Sequence, residues 1–138
     1  MPKRLKSKGL ANQGKRIIAH EVDGPNTDQK CPVFSFEYLQ SSYCITNCNS
    51  DEKAAFAERM RLLSQLTWAE IKCAPRHGLG VEKISQGAIN ASIPSHLTAD
   101  VVLIAFRFSG KAPMVGHREK RIFHVLWFDR AFTLYDHG

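Results

Sequence analysis

Side chains that can bind phosphate and move protons are concentrated near the end of the chain. The candidates are Arg107, Lys111, His117, Arg118, Lys120, Arg121, His124 and Tyr135. Guanidinium groups can stabilise a pentavalent phosphorane, and imidazole or phenol groups can act as general acid and base. This set suits cleavage of RNA by its own 2′-hydroxyl, which needs no metal. Only Glu119 and Asp129 supply carboxylates between residues 101 and 130, so a metal-assisted reaction is not indicated.

The candidates divide into two roles. Catalytic roles are assigned to Arg107, His117, His124 and Tyr135. Nucleic-acid binding is assigned to Lys111, Arg118, Lys120 and Arg121. We expect no metal and no other cofactor. The central hypothesis is that strands distant in sequence bring these guanidinium and imidazole groups into a single anion-binding hollow.

Several candidates also have a structural explanation. Arg107 lies between two phenylalanines, and because a buried guanidinium must be paired or line a cleft, Asp129 is its simplest structural partner. His124 lies between two apolar residues, where a hydrogen-bonded core histidine is the alternative. The basic residues of 118–121 fall in an expected turn, and charged turns are usually solvated.

The formal net charge of +6 lies at the N-terminus. Residues 1–16 hold six basic side chains and no acidic one, so the rest of the chain is formally neutral. Within that rest, residues 101–130 carry six basic and two acidic side chains, which indicates phosphate binding more specifically than a basic arm does. The arm itself is either a solubilising, disordered extension or a salt-sensitive tether for nucleic acid.

Composition indicates a globular chain. Of its 138 residues 43% are hydrophobic, which is enough to bury a core and form one domain. No run approaches the roughly 18 apolar residues of a membrane span, and the first residues lack the hydrophobic region of a secretory signal. We therefore expect a cytoplasmic protein with no membrane partner.

The candidate residues must be positioned by strands that follow a pair of helices. Four β-rich runs occupy residues 101–108, 114–117, 122–129 and 132–135, and their short connections are typical of antiparallel neighbours. A helix is predicted from the capping residues at 49–51 to Leu66. A second, short helix is predicted to begin at Thr67, in the capping-box sequence TWAE, and to end before Pro75.

The segments before and between these elements complete the predicted fold. The alternating run 33–39 predicts a half-buried strand, which forms a hairpin with 43–46. Residues 76–99 are predicted to be a long irregular connection, which includes a short helical or extended piece at 81–84. The expected fold class is α+β, with an antiparallel sheet made of this hairpin and a four-stranded meander, and with the helical pair packed on one face. Residues 1–32 are assigned to a largely disordered arm and linker, and 33–138 to a single domain.

The four cysteines are expected to be free thiols. Without a secretory signal, a disulfide framework is not indicated. Zinc donors would be drawn from Cys31, Cys44, Cys48, Cys73 and His77. Their spacing disfavours zinc, because only Cys44 and Cys48 form a close pair. A Cys73 nucleophile activated by His77 is also disfavoured, because Pro75 breaks the helix that would bring the two together.

The layout of the C-terminal half resembles the RelE/ParE-like toxin superfamily, small bacterial ribonucleases and gyrase poisons encoded beside an antitoxin. The resemblance lies in the helical pair, Arg107 late in the first β-rich run, the basic turn 117–121, the apolar run 122–128 and the terminal Tyr135. It covers residues 51–138 and implies a metal-independent endoribonuclease toxin, with RNA as substrate and an antitoxin as partner. The chain also resembles uncharacterised small proteins of bacterial mobile elements. The alternative function is a non-catalytic module that binds nucleic acid or a partner protein.

Overall fold

A five-stranded sheet with two α-helices makes up the part of the protein that the computed structural model describes, residues 26–137. The elements are β1 (Val33–Ser35), α1 (Ser50–Leu63), α2 (Trp68–Cys73), β2 (Glu82–Ile84), β3 (Leu103–Ser109), β4 (Ala112–Glu119) and β5 (Ile122–Phe128). The strand order is β1-β5-β4-β3-β2. Every neighbouring pair is antiparallel except β1 and β5, which are parallel. The α+β class is confirmed, with a mixed rather than purely antiparallel sheet.

The predicted N-terminal hairpin is wrong. The first strand is only Val33–Ser35, and its partner is β5, with Phe34 aligned to Phe123. The residues predicted to form the second hairpin strand lie instead in two short 3-10 helices, Ser41–Tyr43 and Ile45–Asn47, with Cys44 between them. An aromatic, alternating run predicts an extended backbone but not its partner, and here the partner lies far away in sequence.

The C-terminal meander has three strands rather than four. Residues 132–135 form no strand, because the chain turns around the buried carboxylate of Asp129, which accepts hydrogen bonds from the backbone N–H groups of Thr133 and Leu134 at 2.8 and 3.1 Å. Another strand, β2, arises inside the segment predicted to be an irregular connection. It falls on the short helical or extended piece noted at 81–84, and it pairs with β3 over only three residues, too few for the pattern to distinguish a strand from a helix.

Both helices begin where the capping residues predict. In α1 the side chain of Asn49 accepts from the backbone N–H of Glu52, whose carboxylate accepts from the backbone N–H of Asn49, each at 2.8 Å. Thr67 and Glu70 form the same reciprocal pair at the start of α2. These bonds satisfy backbone donors that have no partner within a helix.

The sheet carries a core on each face. On one face α1 and α2 pack against it, with Leu63, Trp68 and Ile71 fully buried among the phenylalanines of β3 and β5. The opposite face is covered by loops and short 3-10 helices, and its core joins Val115 and Trp127 to residues from the connections and the C-terminal segment. Among residues 26–137, no α-helix packs on this second face, and polar side chains occupy both of its ends.

Gly116 allows β4 and β5 to approach closely at one end of the second face. A Cβ atom at this position would lie 1.9 Å from the carbonyl oxygen of His124. The pairing register also shifts here, because Val115 aligns with Trp127 while Gly116 aligns with Val125, which leaves Leu126 as the extra residue of a β-bulge. The bulge and the close approach place the next pair, His117 and His124, side by side.

Residues 26–32, assigned to the linker from sequence, contact the domain. The carboxylate of Asp28 accepts hydrogen bonds from Lys72 and from Arg118, each at 2.7 Å, and the carbonyl of Lys30 accepts from the backbone N–H of Trp68 at 3.0 Å. The remainder of the predicted arm, residues 1–25, lies outside the described residues. Between residues 26 and 137, neither helix has the length and apolar character needed to cross a membrane.

Candidate functional site

A hollow of about 290 Å³ opens beside the end of β3, next to the Gly110–Lys111 turn. We call it the cationic hollow. Its polar lining consists of Arg76, His77, Glu82, Arg107, Lys111, Tyr135 and His137. These side chains come from the turn after α2, from β2 and β3, from the β3–β4 turn and from the C-terminal segment. Three cationic groups face one carboxylate, and that carboxylate, Glu82, already accepts from Arg76 at 3.1 Å.

Arg107 lines the hollow, and no carboxylate within residues 26–137 pairs with it. Its Nη2 donates to Nδ1 of His77 at 3.2 Å, so the imidazole keeps its own proton on Nε2 and presents it as a donor. Asp129, the structural partner suggested by the sequence, bonds elsewhere. Burial lowers the pKa of the nearby Arg59, and the positive charge of Arg107 acts in the same direction. Arg107 therefore retains charge that can be directed at an anion.

His137 is oriented by the fully buried carboxylate of Asp129. Its Nε2 donates to Asp129 Oδ2 at 3.0 Å, while the same carboxylate is held by the two backbone N–H groups of the following turn. With Nε2 occupied, Nδ1 of His137 is the ring atom that can accept a proton. A carboxylate that orients an imidazole in this way is a common arrangement for a general base.

Tyr135 lies against His137, with ring centroids 4.0 Å apart and the planes inclined by 30°. Burial raises the pKa of Tyr135 to about 12, and the negative charges of Glu82 and Asp129 act in the same direction. At neutral pH the phenol therefore keeps its proton. Tyr135 can donate a hydrogen bond in the hollow but is unsuited to act as a base.

The other two catalytic candidates lie at the opposite end of the same face, in what we call the histidine cluster: Tyr38, His96, His117, Glu119 and His124. Along β4, His117 lies four residues beyond Pro113, which lines the hollow, and that corresponds to about 13 Å. The rings of His117 and His124 are stacked with centroids 4.8 Å apart. These two histidines lie beside each other, but they are not in the hollow with Arg107.

Contacts within the histidine cluster are mostly internal. Nε2 of His96 and Nε2 of His117 are 3.3 Å apart, and the Tyr38 ring stacks on His96 with centroids 3.8 Å apart. Nε2 of His124 lies 3.0 Å from Oε1 of Glu119, whereas its buried Nδ1 has no hydrogen-bond partner among the described residues. Burial, together with the neighbouring His124 and His96, lowers the pKa of His117 to about 4.

The basic residues of the β4–β5 turn lie in a third place, and two of them make structural contacts. Arg118 donates to Asp28 at 2.7 Å, and its guanidinium lies 4.4 Å from the centre of the Trp68 ring. Arg121 donates to the carbonyl oxygen of Cys31 at 3.0 Å. Lys120 is exposed at the turn itself, with φ 56°. None of these three residues lines the cationic hollow.

The structure thus brings together three of the predicted residues, Arg107, Lys111 and Tyr135, and adds Arg76, His77 and His137. Arg76 and His77 fall in a segment without regular structure, so no periodic pattern indicated where they would lie. The position of Asp129 directly after an apolar run could have indicated His137. A buried carboxylate needs a partner, and His137 follows it in the same C-terminal segment.

The metal ligands and thiols considered from the sequence all lie within residues 26–137. No group of three or more histidine, cysteine, aspartate or glutamate side chains there is arranged to hold a metal ion. The four cysteines are free thiols, of which Cys48 is buried and Cys73 is exposed at the end of α2.

Comparisons with protein-family models, curated proteins and solved structures give no match for this chain. The RelE/ParE-like resemblance therefore stays a prediction from sequence. The functional conclusion rests on the geometry of the cationic hollow.

Proposed function

We propose that the protein is a metal-independent endoribonuclease that binds the scissile phosphate of RNA in the cationic hollow. The observation that carries this proposal is the convergence of guanidinium, ammonium, imidazole and phenol groups from four separate parts of the chain on one open hollow. Phosphate is the anion that such a group of donors fits best, and a hollow with one already paired carboxylate would not repel it.

In the proposed reaction, Nδ1 of His137 takes the proton of the ribose 2′-hydroxyl, and Asp129 stabilises the imidazolium that forms. The 2′ oxygen then attacks phosphorus, and Arg107 donates hydrogen bonds to the non-bridging oxygens of the phosphorane. The bond from phosphorus to the 5′ oxygen breaks, leaving a 2′,3′-cyclic phosphate. Lys111, which reaches the hollow from the β3–β4 turn, gives a proton to the departing 5′ oxygen.

The test is incubation of the full chain with an end-labelled, single-stranded oligoribonucleotide in EDTA, with products identified by mass spectrometry. We expect cleavage with 2′,3′-cyclic phosphate ends, and no cleavage of the matching 2′-deoxy oligonucleotide. Arg107→Ala should lower the rate by about 10²–10³-fold, because it removes a charged donor from the phosphorane. The charge-matched control is Arg61→Ala, which removes a guanidinium that pairs with Glu58 on the exposed surface of α1.

Intact RNA after prolonged incubation with folded protein would reject the proposal. So would an equal loss of activity in the two arginine variants. Salt-sensitive binding of RNA without cleavage would instead support the alternative, a non-catalytic nucleic-acid-binding module, in which the hollow holds phosphate but transfers no proton.

A further inference from the structure

Phe132 is an exposed aromatic residue at the edge of the cationic hollow. It lines the hollow together with Arg107 and Lys111, and 45% of its surface is accessible. Its backbone has φ 60°, in the left-handed region that bulky residues rarely adopt. The turn that imposes this conformation is fixed from inside by the carboxylate of Asp129.

Core packing does not explain why phenylalanine occupies this position. Glycine or asparagine would accept the left-handed backbone more easily, and the ring of Phe132 is not among the buried core. The contact that it makes with His137 is edge-to-face, with centroids 5.1 Å apart and planes at 81°, so the two rings are not stacked. A strained, exposed aromatic beside an anion site indicates a ligand-binding role.

We propose that Phe132 is the platform on which a base of the bound nucleic acid stacks, next to the phosphate held by Arg107 and Lys111. This inference deepens the proposed function and rests on it. The ligand is then an unpaired stretch of nucleic acid. In a duplex each base is already stacked between its neighbours, so its face is not available to the Phe132 ring. Tyr135 is unsuited to this role, since it is 5% exposed and its ring is stacked on His137.

The experiment measures binding without cleavage. A fluorescent 2′-deoxy oligonucleotide is compared, by anisotropy with the full chain, with an abasic oligonucleotide of the same length and charge. The wild-type chain is expected to bind the base-containing strand on the order of ten- to a hundredfold more tightly, since stacking of a base on an aromatic ring has that strength. Phe132→Ala should remove this difference, and Phe132→Trp should keep it. Val102→Ala, which shortens another exposed apolar residue, is the matched control.

Thermal unfolding separates a binding role from a packing role. Phe132→Asn relieves the left-handed backbone, so its Tm should be at least that of the wild-type chain while the preference for bases is lost. A lower Tm with an unchanged preference would overturn the inference. Equal affinity of the wild-type chain for both strands, or no binding of either, would overturn it as well.

The two proposals fail separately. Base-dependent binding that needs Phe132, without any cleavage of RNA, would reject the endoribonuclease and keep the stacking platform. Cleavage of RNA that is unaffected in Phe132→Ala, with no preference for bases, would keep the endoribonuclease and reject the platform.

Discussion

The two ends of the second sheet face contain similar titratable groups, yet they are built differently. At the cationic hollow the imidazole of His137 is bonded at one nitrogen to a buried carboxylate and is 27% exposed. In the histidine cluster the imidazole of His124 is 6% exposed and is covered by other rings. An imidazole can transfer a proton to a substrate only where the substrate can reach it. Residue type alone therefore does not show whether a histidine is open to a substrate or buried among other rings.

Charge also distinguishes the cationic hollow from the histidine cluster. Arg107 and Lys111 direct positive charge into open space, so the hollow can receive an anion. At the other end burial disfavours a positive charge on His117, and charges on the neighbouring His124 and His96 would repel it, so the pKa of His117 is lowered. One end of the face is therefore arranged to bind charge and the other to avoid it.

The strongest contrast should come from the same substitution at each end. His137→Gln removes the proposed general base and is expected to lower the single-turnover rate of RNA cleavage by about 10²–10⁴-fold. His124→Gln should change the rate little but lower Tm, because it disrupts a buried ring stack. A folded His124→Gln chain with the larger loss of activity would move the reaction to the histidine cluster, where the sequence alone had placed two catalytic residues.

The next effect is a dependence of stability on pH that originates in the histidine cluster. The pKa of His117 is lowered from 6.5 to about 4 in the folded chain, so below pH 6.5 the unfolded chain takes up a proton that the folded chain does not. The free energy of unfolding should therefore be fully retained above pH 6.5 and fall, by about 3 kcal/mol, as the pH drops toward 4. Urea unfolding of the wild-type chain and of His117→Gln from pH 7.5 to 4 measures this. Parallel profiles for the two chains would contradict it.

The smallest effect compares the lysines of the two hairpin turns. Lys111→Ala should weaken binding of a single-stranded oligonucleotide a few-fold and reduce the slope of log affinity against log salt by about 0.7, because one phosphate contact is lost. Lys120→Ala, in the turn at the other end, should leave both quantities unchanged. Both side chains are exposed, so neither variant should alter Tm. Identical salt slopes for the two variants would show that Lys111 contacts no phosphate.

Sequence predicted the parts of this molecule that depend on neighbouring residues. The capping pairs at Asn49 and Thr67 determine where the helices begin, and the short turns at 110–111 and 120–121 determine the meander. The pairing of β1 with β5 was not predicted, because no local pattern specifies a partner that distant. The same limit applies to function. Arg107, Lys111 and Tyr135 do share a hollow, but the predicted inclusion of His117 and His124 depended on strand register and on distance along β4, which composition does not reveal.

The parallel contact between β1 and β5 also affects the order in which the chain can fold. Val33 to Ser35 emerge from the ribosome early, yet the strand with which they pair comes last among the strands described here. Closure of so long a loop is slow compared with formation of the helices or the hairpins. Strand β1 therefore stays unpaired, and can associate with other chains, until β5 has been synthesised as far as Phe128.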